Sequence, residues 1–120
     1  MIPRVKSKAH LDFIRSLCCI ICGDQTTVEA AHLRFSDARA AKPITGAGTK
    51  PSDSWCVPLC GRHHREQHAS GERKWWESKG IDPIFVCLAL YRISGDHEAG
   101  LQIIQANQSK HAYPVATHKR

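Results

Sequence analysis

Two short stretches of this chain carry side chains of the metal-binding type at ligand spacing. Cys19-Ile20-Ile21-Cys22-Gly23 is one, and Cys56-Val57-Pro58-Leu59-Cys60-Gly61-Arg62-His63-His64-Arg65-Glu66-Gln67-His68 is the other. Pairs separated by two residues are the usual grip of a closed tetrahedral zinc site, and Cys19, Cys22, Cys60 and His63 make a Cys3His set. Cys18 competes with Cys19 for the first place, because a Cys-x3-Cys knuckle also reaches. If a helix starts just after Cys60, His64 and His68 stand i, i+4 on one face, while His63, about 100° round from His64, points back towards Cys60. Adjacent histidines then serve different ions. His64, His68 and His32 remain free for chemistry.

The elements that must hold these groups can be read in order. Residues 1–6 read as a basic arm, and Leu11, Ile14 and Leu17, with Phe13 beside them, predict a short amphipathic helix over residues 7–17. Gly23-Asp24-Gln25 closes the first knuckle as a turn. Residues 26–34 predict a strand with Val28, Ala30 and His32 on one side of the pleat, which puts His32 on the face of core positions. Residues 35–54 form a long connection with no period of its own. Arg34 just before it, with Arg39, Lys42 and Lys50 within it, are candidate phosphate contacts. A second strand follows over residues 54–59, with Pro58 at an edge or end. Then come the histidine helix over 61–69, a helix over 72–79 carrying Trp75 and Trp76 and stopped by Gly80, and an apolar helix opened by Asp82-Pro83 and running to about residue 93. Trp75 and Trp76 are expected to clamp a small core, and Ile84, Phe85, Leu88 and Tyr91 to join it. Residues 101–104 suggest a short strand, and 105–120 a polar tail with a basic end.

Composition sets the partners. At 120 residues the chain is one domain, small enough for a metal staple to matter, and its net charge of +6 with a pI near 9.2 favours a polyanion such as nucleic acid. Six cysteines could frame disulfides in a secreted protein. Here the basic start runs into Ala9-His10-Leu11-Asp12 instead of an apolar stretch with a cleavage site, and no segment approaches the ~20 apolar residues of a membrane span. The expectation is a cytoplasmic protein with thiolates held by metal, Cys56 and Cys87 being plain buried thiols, and no membrane partner.

The order of a strand with His32, a basic loop, a second strand and Cys60-x2-His63-His64-x3-His68 on a helix resembles the HNH endonuclease family. It is most similar to the phage and prophage members associated with recombination, through Ala31-His32-Leu33, Lys50-Pro51-Ser52-Asp53 and Pro58-Leu59-Cys60-x2-His63-His64. The resemblance implies an α+β fold: a small ββα-metal, treble-clef-like core with structural zinc and flanking helices. It divides the chain into a basic arm and helix (1–17), an HNH nuclease domain (18–93) and a C-terminal extension (94–120). It also implies metal-dependent hydrolysis of DNA phosphodiester bonds, with DNA and a recombination or phage-encoded protein as partners.

In such a reaction an attacking water must lose a proton and a departing 3′ oxygen must have its charge neutralised. A neutral imidazole, ordinarily titrating near ~6.5, suits the first task, and His32 is the expected general base. A catalytic Mg2+ or Mn2+ on His64 and His68 suits the second. The family's common pattern has an acid where this chain has Ala31, and an asparagine or histidine where it offers Ser54 and Trp55. Asp53 is therefore a candidate to complete the catalytic ligand set, and alternatively to orient His64 or to cap the turn into the strand. The rival expectation is a non-catalytic zinc-containing DNA-binding module or a recombinase-associated accessory protein. A zinc deaminase would need a glutamate two residues after a ligand histidine, and His32-Leu33-Arg34 lacks it.

Overall fold

The computed structural model describes residues 4–45 and 51–108. The elements run α1 (Lys8–Arg15), β1 (Val28–His32), a 3-10 turn (Ala38–Ala40), β2 (Cys56–Cys60), α2 (Gly61–Ala69), α3 (Glu72–Lys79), α4 (Pro83–Arg92) and α5 (His97–Asn107). This is an α+β arrangement around a two-stranded antiparallel sheet. Val28 faces Cys60 and His32 faces Cys56, so the sheet register sets both ends of the ligand-bearing segment.

Ser7 opens α1 by accepting the His10 N–H on its side chain, as an N-cap does. The helix buries Phe13 and Ile14 and delivers Leu17 to the core just before the first cysteines. There the chain turns back on itself: Gly23 N–H donates to the Cys19 carbonyl at 2.8 Å, and Gly23 adopts φ 80°, the left-handed region that glycine enters without a Cβ clash. Ile20 N–H donates to the Pro58 carbonyl at 3.1 Å, which docks this knuckle on β2. Every residue of β2 is buried, between α1, α2 and α4.

On β1 the pleat places Ala31, with Leu33 beyond the strand, on the fully buried side, while Val28, Ala30 and His32 are only half-buried. The sequence expectation had assigned the core side to Val28, Ala30 and His32. The small Ala31 and the apolar Leu33 are what the core accepts, and the imidazole takes the wetter side.

α3 ends at Gly80 in the left-handed conformation, and Asp82 caps α4 by accepting from Ile84 and Phe85 N–H with Pro83 in the first turn. Trp75 and Trp76 pack edge to face at 4.9 Å and are buried as expected, with the Trp76 indole donating to Gln67 Oε1 at 2.9 Å. The α4 expectation needs correction. Ile84 is buried with Val86, Cys87 and Leu90, but Phe85, Leu88 and Tyr91 are on the exposed side, because α4 is apolar nearly all round and only one side meets the sheet.

Residues 101–104 are helical, not a strand. Asp96 caps α5 by accepting from Ala99 N–H, and Gly100 lets that helix approach α1 so closely that a Cβ there would stand 2.9 Å from Leu17 and Phe13. The tail expectation falls partly on α5 and otherwise on residues 109–120, which lie outside the described residues. Among the described residues no helix is long and apolar enough to cross a membrane.

Candidate functional site

Three groups of side chains stand on or against β1, β2 and α2. The first is Cys19, Cys22, Cys60 and His63, whose ligand atoms all lie within 4.8 Å of one another. A tetrahedral ion held about 2.3 Å from sulfur and about 2.0–2.1 Å from nitrogen requires S···S edges of about 3.8 Å and S···N edges of about 3.6 Å. Cys22 Sγ to Cys60 Sγ is 3.9 Å, Cys19 Sγ to His63 Nδ1 is 3.7 Å and Cys60 Sγ to His63 Nδ1 is 3.3 Å. These groups could therefore hold a metal ion with little rearrangement. Cys19 takes the place for which Cys18 competed.

Burial pushes the Cys19 thiol up to about 12, backbone N–H groups pulling the other way, and burial also lowers His63. A neutral imidazole is the ligating form; a buried thiolate needs a cation to be stable. Trp75 covers the site, its ring 6.5 Å from that of His63.

The second group lies on the next face of α2. His64 Nε2 and His68 Nε2 face each other at 3.2 Å, as the i, i+4 spacing predicts. Their other nitrogens are held by carboxylates: His64 Nδ1 by Glu29 Oε1 at 2.7 Å and His68 Nδ1 by Glu72 Oε2 at 3.3 Å. The Glu29 contact is a hydrogen bond, which puts the His64 proton on Nδ1 and turns its Nε2 lone pair towards His68, while the Glu72 contact is an ion-pair approach. Two imidazole nitrogens at that distance share a proton or a cation. Two ligand nitrogens on one ion at about 2.1 Å stand about 3.0–3.4 Å apart, so the pair fits a divalent metal.

The third group is His32 with Asp53. His32 Nε2 donates to Asp53 Oδ1 at 2.9 Å, and Asp53 Oδ2 accepts the Ser7 N–H at 2.8 Å. Burial would raise Asp53, but the His32 hydrogen bond and the Ser7 N–H outweigh it and bring the carboxyl below its ordinary value. It is therefore ionised at neutral pH, fixes the His32 proton on Nε2 and leaves Nδ1 with the lone pair. Arg4, Val5 and the Asp53 N–H tie the N-terminal arm to residues 51–53 and hold the dyad in place. Both Asp53 oxygens are thus engaged, one by His32 and the other by the start of α1.

The predicted phosphate contacts divide. Arg34 is exposed, its N–H held by Glu72 Oε1 at 2.8 Å. Arg39 is exposed too, but its guanidinium is paired with Asp37 and Asp82. Lys42 needs correction: it is only 3 % exposed and donates to the Phe35 carbonyl at 2.5 Å, with the Phe35 and Trp55 rings about it. Desolvation lowers its pKa, and it staples the loop instead of reaching outward. Lys50 lies outside the described residues.

A family model described as "Protein of unknown function (DUF968)" matches residues 2–92. The chain belongs to this family. The DUF968 span ends at the last residue of α4 and includes all three side-chain groups, leaving α5 beyond it. No curated protein sequence and no solved structure matches the chain. Two side chains of the second group escaped the sequence reading, Glu29 and Glu72. Glu72 carried a signal, since it lies four residues after His68 across the break between α2 and α3. Glu29 lies three residues before His32, where only the strand pairing shows that it meets α2.

Proposed function

We propose that this chain is a metal-dependent DNA endonuclease of the HNH type, hydrolysing phosphodiester bonds, with zinc on Cys19, Cys22, Cys60 and His63 and a catalytic Mg2+ or Mn2+ on His64 and His68. The observation that carries the proposal is the facing Nε2 pair with a carboxylate behind each ring. Carboxylate–histidine pairs of this kind orient metal ligands and raise their basicity. The strand order, the antiparallel sheet followed directly by α2, and the Cys3His group agree with the ββα-metal architecture that the motifs resemble.

Each group has a distinct task in that reading. His32, with its proton fixed on Nε2, takes a proton from the attacking water through Nδ1, and the Asp53 carboxylate stabilises the imidazolium that results. His64 and His68 would hold the divalent cation, with Glu29 and Glu72 behind their rings. A bound cation supplies Lewis-acid neutralisation of charge on the scissile phosphate and on the leaving 3′ oxygen. Ala31, fully buried, offers no ligand where the HNH pattern has an acid, so the two imidazoles are the side chains that would hold the cation.

The test is cleavage of supercoiled plasmid and of circular single-stranded DNA with Mg2+, with Mn2+ and without added divalent metal. The expected result is cleavage in the metal arms only, abolished in His64→Ala, with zinc content unchanged. Retarded migration without cleavage in every arm would replace the enzyme with a DNA-binding zinc module.

A further inference from the structure

A surface cleft of about 520 Å³ opens beside the histidine pair, with Arg34, Phe35, Ile44, Glu72, Arg73 and Lys74 in its lining. Its connection to the pair is Glu72, whose Oε2 holds His68 while Oε1 accepts the Arg34 N–H. Whatever occupies the cleft therefore lies against the support of the proposed catalytic metal. Its volume falls within the ~300–1,000 Å³ of small-ligand sites.

The walls have two characters. Phe35 and Ile44 make an apolar surface, Ile44 being 73 % exposed among the described residues. The Arg73 guanidinium lies 4.8 Å from the Phe35 ring centroid and is fixed there by donating to the Ser36 carbonyl at 2.7 Å. Arg34, Arg73 and Lys74 make the rim cationic, and the one acid, Glu72, is engaged by His68 and the Arg34 N–H. A flat apolar group carrying an anion at its edge complements such a surface. Duplex DNA presents only phosphates to it, since a paired base is stacked inside the helix, whereas an unpaired nucleotide presents both.

We infer that this cleft takes an unpaired nucleobase of the strand held at His64 and His68, with the adjoining phosphate against Arg34 and Lys74. The substrate class is then DNA with unpaired nucleotides: single-stranded, gapped, flapped or mismatched. The inference rests on the nuclease reading for the position of the strand, but its affinity can be measured without cleavage.

The experiment uses the zinc-loaded full chain with Ca2+ in place of Mg2+ and measures anisotropy of a fluorescein-labelled single strand and of the same sequence as a blunt duplex. Wild type is expected to bind the single strand about tenfold more tightly or better, as base stacking and apolar contact provide. Ile44→Asp, at an exposed position that leaves folding intact, is expected to weaken the single strand about five- to tenfold and the duplex hardly at all. Leu88→Asp, on the exposed side of α4, serves as control and is expected to change neither. Equal wild-type affinity for the two forms, or Ile44→Asp weakening both alike or neither, overturns the base site.

Mn2+ binding and DNA cleavage by the same preparations separate the two readings. A wild type that cuts without preferring single strands overturns the base site and leaves the nuclease. One that prefers single strands yet neither cuts nor binds Mn2+ at the histidine pair overturns the nuclease and leaves the base site.

Discussion

His63 and His64 are neighbours on one turn of α2 and belong to different sites. His63 is buried at 5 % exposure among three cysteine sulfurs, whereas the His64 side chain is 23 % exposed and faces one further imidazole. The closed group offers four ligands and no room for a substrate; the open one offers two, each backed by a carboxylate. The difference follows from helix geometry, since a step of about 100° carries consecutive side chains to different surroundings. Ligand chemistry agrees with each location: thiolates under Trp75 suit a permanent ion, and half-exposed imidazoles suit the exchangeable cation of the proposed reaction.

The sharpest way to break this contrast is to remove one ligand from each side. Cys60→Ala is expected to lose zinc and to unfold the chain, because structural zinc contributes about 10–16 kcal/mol in small domains, as much as a domain's whole stability. Far-UV circular dichroism with metal analysis checks it; a folded, zinc-free Cys60→Ala would show that the cluster is not the staple. His64→Ala is expected to keep its zinc and melt close to wild type while losing Mn2+ binding and cleavage. On the third group, His32→Ala should remain folded and metal-replete with cleavage down about 10²–10⁴-fold, the usual worth of a general base. Normal cleavage by metal-replete His32→Ala would reject the base assignment.

The closed site could be read from the sequence because its ligands obey local spacings on both sides of the sheet. The same holds for α2, α3 and the Asp82-Pro83 start of α4, where caps and glycines mark the ends. What could not be read depends on the other side of a contact. Nothing in the α4 pattern tells which side of an apolar helix meets the sheet, so Phe85, Leu88 and Tyr91 were assigned inward. α5 was hidden by Gly100 and the Ile103-Ile104 pair, which suggest a strand until the close approach of that glycine to Leu17 and Phe13 is seen. Lys42 counted as a surface cation in a basic loop, and only the folded loop shows carbonyl and aromatic groups surrounding it. Glu29 escapes for the same reason, since only the strand pairing brings it to His64, whereas Glu72 stands four residues after His68.

Glu72 gives a smaller and more selective test of the open site. Glu72→Gln keeps an oxygen for the Arg34 N–H while removing the charge that orients His68. Calorimetric titration with Mn2+ should show an affinity about 10–100-fold weaker, the usual effect of losing a partner behind a ligating histidine. The melting temperature should barely move. A large drop in stability with unchanged Mn2+ affinity would instead make Glu72 a strut between β1 and α3.

The smallest effect sought belongs to neither metal group but to the α1 side, beside His32 and Asp53. His10 is only 2 % exposed, its Nδ1 2.7 Å from Ser94 Oγ and its ring edge-on to Tyr91. Burial lowers its pKa, against a smaller opposing pull from Asp53. A histidine whose folded pKa is depressed is protonated more readily in the unfolded chain, which titrates near ~6.5, so its stabilising contribution is complete above that value and declines as pH falls towards the folded pKa. The slope is bounded at about 1.4 kcal/mol per pH unit for one proton. Acid also strips zinc, so wild type alone cannot isolate the effect. The informative comparison is the fall in melting temperature between about pH 7.5 and about pH 5.5 for wild type and for His10→Gln. Zinc loss is common to both, and the fall should be smaller in the variant. Identical falls would show that His10 adds nothing to the acid sensitivity, which would then rest on other groups, the Cys3His cluster among them.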